Sequence, residues 1–168
     1  MRASLFLLLG TLLGCSKSSD MTWDFIDRKI HKDFPNAQEI ETDYFARIVA
    51  NGSEYRLFDV REAKEFAVSH IEFAENLKTA DAIAEAEPDK NAFIVTYCSV
   101  GYRSGKVASD LRTLGYAKVY NLKGSIFEWA NSGKPVYLEG KETEFVHPFD
   151  EKWGTLLDKK LHRYDVSE

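Results

Sequence analysis

Cysteine is nearly absent from this chain. Two thiols, Cys15 and Cys98, in 168 residues exclude a small fold stapled by several disulfides. There is no long basic run, and the net charge is −5, so the electrostatic footprint of a nucleic-acid binder is missing. His31, His147 and His162 have no ligand spacing with one another or with Cys98. No metal is implied, and no other cofactor. No apolar run reaches the roughly 20 residues a membrane-spanning helix needs, and no internal repeat is visible. What remains is a chain that is 44% hydrophobic and 13% aromatic. That composition fits one domain with a sizeable core and argues against disorder.

The first residues read as a targeting segment. Arg2 supplies a short positive start, and Leu5–Gly14 supplies a short apolar core. The run ends in Leu12-Leu13-Gly14-Cys15, followed by the polar Ser16-Lys17-Ser18-Ser19-Asp20. This resembles a bacterial lipoprotein signal. The expectation is cleavage of residues 1–14, lipid on the Cys15 thiol, export, and anchoring to a membrane on the periplasmic side. Residues 15–36 then form a tether and a leading helix, with helical spacing at Trp23, Ile26 and Ile30. If Cys15 carries lipid, Cys98 has no partner, and an unpaired thiol in an oxidising compartment marks a reactive residue.

Strands and helices alternate beyond that point. Strands are expected near Ala37–Ile40, Arg56–Val60, Ala74–Leu77, Phe93–Tyr97 and Lys118–Leu122. Helices are expected from Thr42 as N-cap, over Glu62–Ala67, over Thr79–Glu87, from Arg103 to a stop at Gly115, and after Gly124. The pattern predicts an α/β fold: an open, mostly parallel sheet with helices on both faces. Residues 138–168 read as a charged extension whose Trp153, Leu156, Leu157 and Leu161 pack back on the domain.

Active sites of such sheets lie at the carboxyl ends of strands, and Cys98 stands at one. The run Phe93-Ile-Val-Thr-Tyr97 leads into Cys98-Ser99-Val100-Gly101-Tyr102-Arg103-Ser104 and then into a helix. Loop amides and the helix N-terminus converging on the thiol favour thiolate, the nucleophilic form. Gly101 can take the positive φ that turns successive amides inward. Arg103 supplies a fixed charge for an anionic substrate or a charged sulfur intermediate.

These residues resemble the single-domain rhodanese family. The Cys98–Ser104 loop is similar to its active-site loop. Asp59-Val60-Arg61-Glu62, with Glu65-Phe66 and Ser69-His70-Ile71, is similar to its upstream signature. Asn121-Leu-Lys-Gly124-Ser-Ile126 through Trp129, with Gly133-Lys-Pro-Val136, is similar to its closing segment. The resemblance covers about residues 37–137. Three positions depart from the family: Ser69 stands for Gly, Glu72-Phe73-Ala74 for Pro-Gly-Ala, and Gly124-Ser125 for Gly-Gly.

The resemblance implies a rhodanese-like fold and sulfur transfer. Cys98 attacks the outer sulfur of thiosulfate or a similar small anionic donor, releases sulfite and becomes a persulfide. A thiol or cyanide acceptor then takes the sulfur. The amides of Ser99, Val100, Gly101, Tyr102 and Ser104 hold the persulfide charge, and Arg103 binds the donor. Asp59 and Arg61 are expected as an ion-paired brace, and His70 as a hydrogen-bonded structural histidine. Two other readings stand beside this one. The first is a persulfide carrier or binding module for a protein partner. The second is a Cys–Arg phosphatase or arsenate reductase, whose loops place one residue more between Cys and Arg.

Overall fold

The computed structural model describes residues 21–166. The signal segment and Cys15 lie outside the described residues.

Five strands form one parallel sheet in the order β1-β5-β4-β2-β3: β1 Gln38–Ile40, β2 Arg56–Asp59, β3 Glu75–Asn76, β4 Phe93–Tyr97 and β5 Lys118–Leu122. Their expected positions hold, with no end shifted by more than one residue. Alternation along β4 shows how the sequence serves two faces. Val95 and Tyr97 join Leu57 and Leu122 in one core with Ile26 and Ile30 of α1 (Trp23–Asp33), Phe45 of α2 (Thr42–Ala50) and Phe127 and Trp129 of α6 (Ser125–Asn131). Ile94 joins Phe58 and Val119 in the second core, with Ile83 of α4 (Ala80–Ala86) and Ala108 and Leu111 of α5 (Tyr102–Thr113). Helices thus cover both faces of a sheet that is parallel throughout its five strands.

Some helix starts follow local side-chain chemistry and others do not. Thr79 caps α4 by accepting from Ala82 N at 3.2 Å. Glu62 and Glu65 form a reciprocal capping box on α3 (Ala63–Val68). Thr42 is not the cap of α2; Glu41 holds that position. The Thr42 hydroxyl instead donates to Lys123 O at 2.8 Å, binding the helix to the chain beyond β5. That tertiary partner takes the hydroxyl away from the local cap.

The C-terminal segment is part of the fold. β6 (Val136–Leu138) and β7 (Lys141–Thr143) form an antiparallel hairpin that spans the boundary expected at residue 137. Val146, Leu157 and Leu161 are buried in the core of the α2–α6 face. Asn131 clamps the segment through both ends of its amide: Nδ2 donates to Leu156 O at 2.8 Å, and Oδ1 accepts from Asp158 N at 2.9 Å.

Candidate active site

Cys98 follows the last residue of β4, the strand flanked by β5 and β2. Its loop is tied down by the start of α6. Cys98 N donates to Ser125 Oγ at 3.2 Å, Cys98 O accepts from Ile126 N, and Ser99 O accepts from Phe127 N. With these groups spent on α6, the amides that open α5 are free to face the sulfur. Gly101 sits at φ +104 as the N-cap of α5 and donates its N–H to Cys98 Sγ at 3.2 Å. The positive φ favours glycine, and a Cβ there would lie 3.3 Å from Ile30 Cδ1, a tight contact to which that side chain would have to yield. Asn121 of β5 donates from Nδ2 to Gly101 O at 3.1 Å and accepts from Ser104 Oγ at 2.7 Å.

Cys98 is 1% exposed. Burial pushes its thiol up. The charge of Arg103 and hydrogen bonds from Ser104 and Gly101 outweigh burial, and the thiol lies below its ordinary value. The Gly101 N–H and the charge of Arg103 bear on the sulfur, and not every loop residue points at it. The Ser99 hydroxyl donates to Glu65 Oε1 at 3.0 Å and accepts from Arg103 Nη2 at 2.9 Å. The Tyr102 hydroxyl leaves the loop to donate to Asp33 Oδ2 at 2.8 Å.

Arg103 is not a free cation. Nη1 reaches Glu65 Oε2 and Nη2 reaches Glu65 Oε1, each at 2.8 Å, in a two-pronged pair. Burial pushes the Glu65 carboxyl up, but Arg103 first and then Arg61 hold it below its ordinary range, so it is ionised. Sequence reading placed Glu65 in a motif without giving it a role. Its local spacing shows a capping residue, and only the tertiary fold brings α3 against the cysteine loop.

The supporting residues stand further off. Asp59 and Arg61 are both fully buried and form the expected brace, with Arg61 Nη2 to Asp59 Oδ2 at 2.6 Å and Arg61 Nη2 to Ser69 O at 2.6 Å. His70 follows α3. Its ring stacks on Phe66 at 4.0 Å, Nδ1 lies 3.3 Å from Phe66 O, and its backbone pairs with Tyr137. Burial lowers its pKa. No hydrogen bond joins His70 to the cysteine loop, in keeping with a structural histidine.

A cavity of about 170 Å³ opens over Cys98. The loop supplies Ser99, Val100, Tyr102 and Arg103, and the C-terminal segment supplies Phe149 and Trp153. Arg103 lies over the Phe149 ring at 4.9 Å. No local pattern in the sequence marks these two aromatics as site residues.

Residues 41–132 match the profile of the rhodanese-like domain. The chain belongs to the rhodanese-like family. Among solved structures, the rhodanese-like chain is similar to a rhodanese-like domain protein from Staphylococcus aureus (25% identity, TM-score 0.52, 61% of this chain and 98% of that one). Thiosulfate sulfurtransferase from Pseudomonas aeruginosa shares the fold at 16% identity and TM-score 0.59, over 80% of this chain and 25% of that one. The polysulfide-sulfur transferase homodimer of Wolinella succinogenes shares it at 16% identity and TM-score 0.56, over 69% and 89%. A curated relative is the tRNA uridine(34) hydroxylase of Erwinia tasmaniensis, 35% identical over 110 residues. That match takes in 59% of this chain and 30% of the relative, so the chain spans less than a third of that protein.

Two of the three departures from the rhodanese pattern fall at left-handed backbone positions. Phe73 has φ 62 and Ser125 has φ 52, each where the family places glycine. Ser125 is compensated: its hydroxyl accepts from Cys98 N and donates to Leu122 O at 3.0 Å. Phe73 is 73% exposed and has no such compensation.

Proposed function

We propose that this rhodanese-like chain is a sulfurtransferase in which Cys98 carries a sulfane sulfur as a persulfide. The observation that carries the reading is the Cys98 sulfur at a strand end, held toward thiolate by Arg103 and the α5 amides. The thiolate attacks the outer sulfur of a donor. A sulfur–sulfur bond forms at Sγ, and the donor's own bond to that sulfur breaks with its electron pair leaving on sulfite or an equivalent group. The persulfide charge falls within reach of the Gly101 N–H. A thiol or cyanide then attacks the outer sulfur and restores the Cys98 thiolate. Two fold relatives named for sulfur transfer support the class of reaction, and the name tRNA uridine(34) hydroxylase belongs to proteins of which this chain spans about 30%.

The test is intact-protein mass spectrometry. Incubation with thiosulfate is expected to add one sulfur atom, and cyanide to remove it as thiocyanate. Cys98→Ser abolishes both steps. Hydrolysis of aryl phosphates with no persulfide formed overturns the reading in favour of the phosphatase alternative. Persulfide formation without turnover favours a carrier for a protein partner. Lipid on Cys15, with anchoring to a membrane facing the periplasm, is proposed from the sequence pattern. Lipid labelling in a bacterial host, lost in Cys15→Ala, tests it.

A further inference from the structure

We infer that Phe149 and Trp153 set the donor specificity of the Cys98 site, favouring organic sulfane-sulfur compounds that carry an apolar group and at most one negative charge over inorganic dianions. The inference rests on the sulfurtransferase reading and adds the substrate class to it.

The first argument is charge. Arg103 is the one cation among the described residues lining the cavity, and both its terminal nitrogens are held by Glu65. Guanidinium and carboxylate cancel, and in the attacking thiolate form Cys98 adds a negative charge. Lys29, 4.7 Å over the Tyr102 ring, is paired with Asp33 at 2.7 Å, and Asp33 also takes the Tyr102 hydroxyl. His147 is buried, and that burial holds it toward the neutral form. A dianion entering this cavity gives up hydration and meets a guanidinium already paired with a carboxylate.

The second argument is the wall. A 170 Å³ cavity is close to the roughly 150 Å³ known to hold benzene. Phe149 and Trp153 face it from a segment that is built, not draped. Phe149 holds φ 68, a costly conformation for a bulky side chain. Phe149 N donates to His147 Nδ1 at 3.0 Å, and Trp153 N donates to Asp150 Oδ1 at 2.8 Å. Val146 N to Leu161 O at 2.7 Å pins the start of the segment. An organic thiosulfonate, R–SO₂–S⁻, suits both features: R lies against the aromatics with its outer sulfur toward Sγ. The bond Sγ–S forms, the S–SO₂R bond breaks, and the electron pair leaves with the sulfinate R–SO₂⁻. The charge is two negative before and after, and the product is the same Cys98 persulfide.

The experiment compares second-order rate constants for persulfide formation from benzenethiosulfonate and from thiosulfate on one preparation of the full chain. Their ratio is divided by that of a free small thiol, which removes intrinsic reactivity; the fraction of folded protein cancels. The normalised ratio is expected at about tenfold or more in favour of the organic donor. Phe149→Ala and Trp153→Ala are each expected to lower it about fivefold, with Phe149→Leu as a milder variant of a residue that is 38% exposed. Glu65→Gln frees the charge of Arg103 and is expected to shift the ratio toward thiosulfate. Persulfide from both donors with a ratio near one, or a ratio unmoved by both aromatic variants, overturns the inference alone. No persulfide from either donor overturns the sulfurtransferase reading with it.

Discussion

At the residue scale the site rests on three interacting groups. The Cys98 sulfur, the Arg103 guanidinium and the Glu65 carboxylate form a chain in which each group favours the ionised form of the next. Arg103 lies between the other two, so its loss is felt by both. The folded Cys98 thiol lies below its ordinary 9.0 because Arg103, Ser104 and Gly101 together overcome burial. Alkylation by iodoacetamide should therefore reach its plateau at lower pH than for a free cysteine. In Arg103→Ala the midpoint should move to higher pH, with Arg103→Lys in between, because lysine keeps the charge but loses the fork. A profile identical in all three proteins removes Arg103 from the account. Glu65 adds a stability effect. Its folded value is depressed from 4.5, so its contribution is fully present above about pH 4.5 and is lost as the pH falls through the folded value. Glu65→Ala should cost about 2 kcal/mol near neutral pH in urea unfolding. That lies between an exposed pair and the roughly 3–5 kcal/mol for breaking a fully buried one, since Arg103 keeps 32% of its side chain exposed. Glu65→Gln should flatten the acid limb of stability.

At the element scale the turns carry the strain. Gly101 at φ +104 lets α5 begin with its amide on the sulfur. Gly101→Ala forces a side chain into a left-handed conformation and toward Ile30. A loss of about 1–2 kcal/mol is expected in denaturant midpoints, with slower alkylation of Cys98 as the N–H shifts. The opposite sign is expected at Phe73. Its φ is 62 while its ring is 73% exposed, so the residue spends conformational energy and buries little. Phe73→Gly should stabilise the protein by about 0.5–1 kcal/mol, the relief exceeding glycine's greater unfolded-state entropy. A lower midpoint for that variant shows that the exposed ring contributes something the backbone argument misses.

At the scale of the molecule the C-terminal segment is a wall of the site and a layer of the core together. Val146, Leu157 and Leu161 are between 0% and 5% exposed and belong to the core shared by α1, α2 and α6. Leu157→Ala should cost about 2–4 kcal/mol. Unfolding should remain a single transition when monitored both by Trp129, within the domain, and by Trp153, within the segment, in single-tryptophan variants. Two separate transitions would show the segment to be an independent unit.

Period and local chemistry by themselves determined the elements. The short, mostly apolar run of β4, the spacing of Val107, Ala108 and Leu111 in α5, and Thr79 before α4 are signals that a residue's neighbours in the chain can carry. The placing of Cys98 before an amide-lined loop was legible for the same reason, since strand, loop and helix are contiguous. So was the Asp59–Arg61 brace, whose partners are two residues apart. Contacts between distant segments were not legible. Thr42 reads as a cap until Lys123 O, 81 residues away, claims its hydroxyl. Arg103 reads as a free anion binder until Glu65, 38 residues away, takes both its nitrogens. Trp153 reads as part of an extension that packs back on the domain, and Phe149 carries no signal of its own, until the docking of Leu157 and Leu161 brings both over the sulfur. Local sequence sets which conformation a segment favours; the charge and shape of the cavity depend on which distant segments share it, and only burial of the common core decides that.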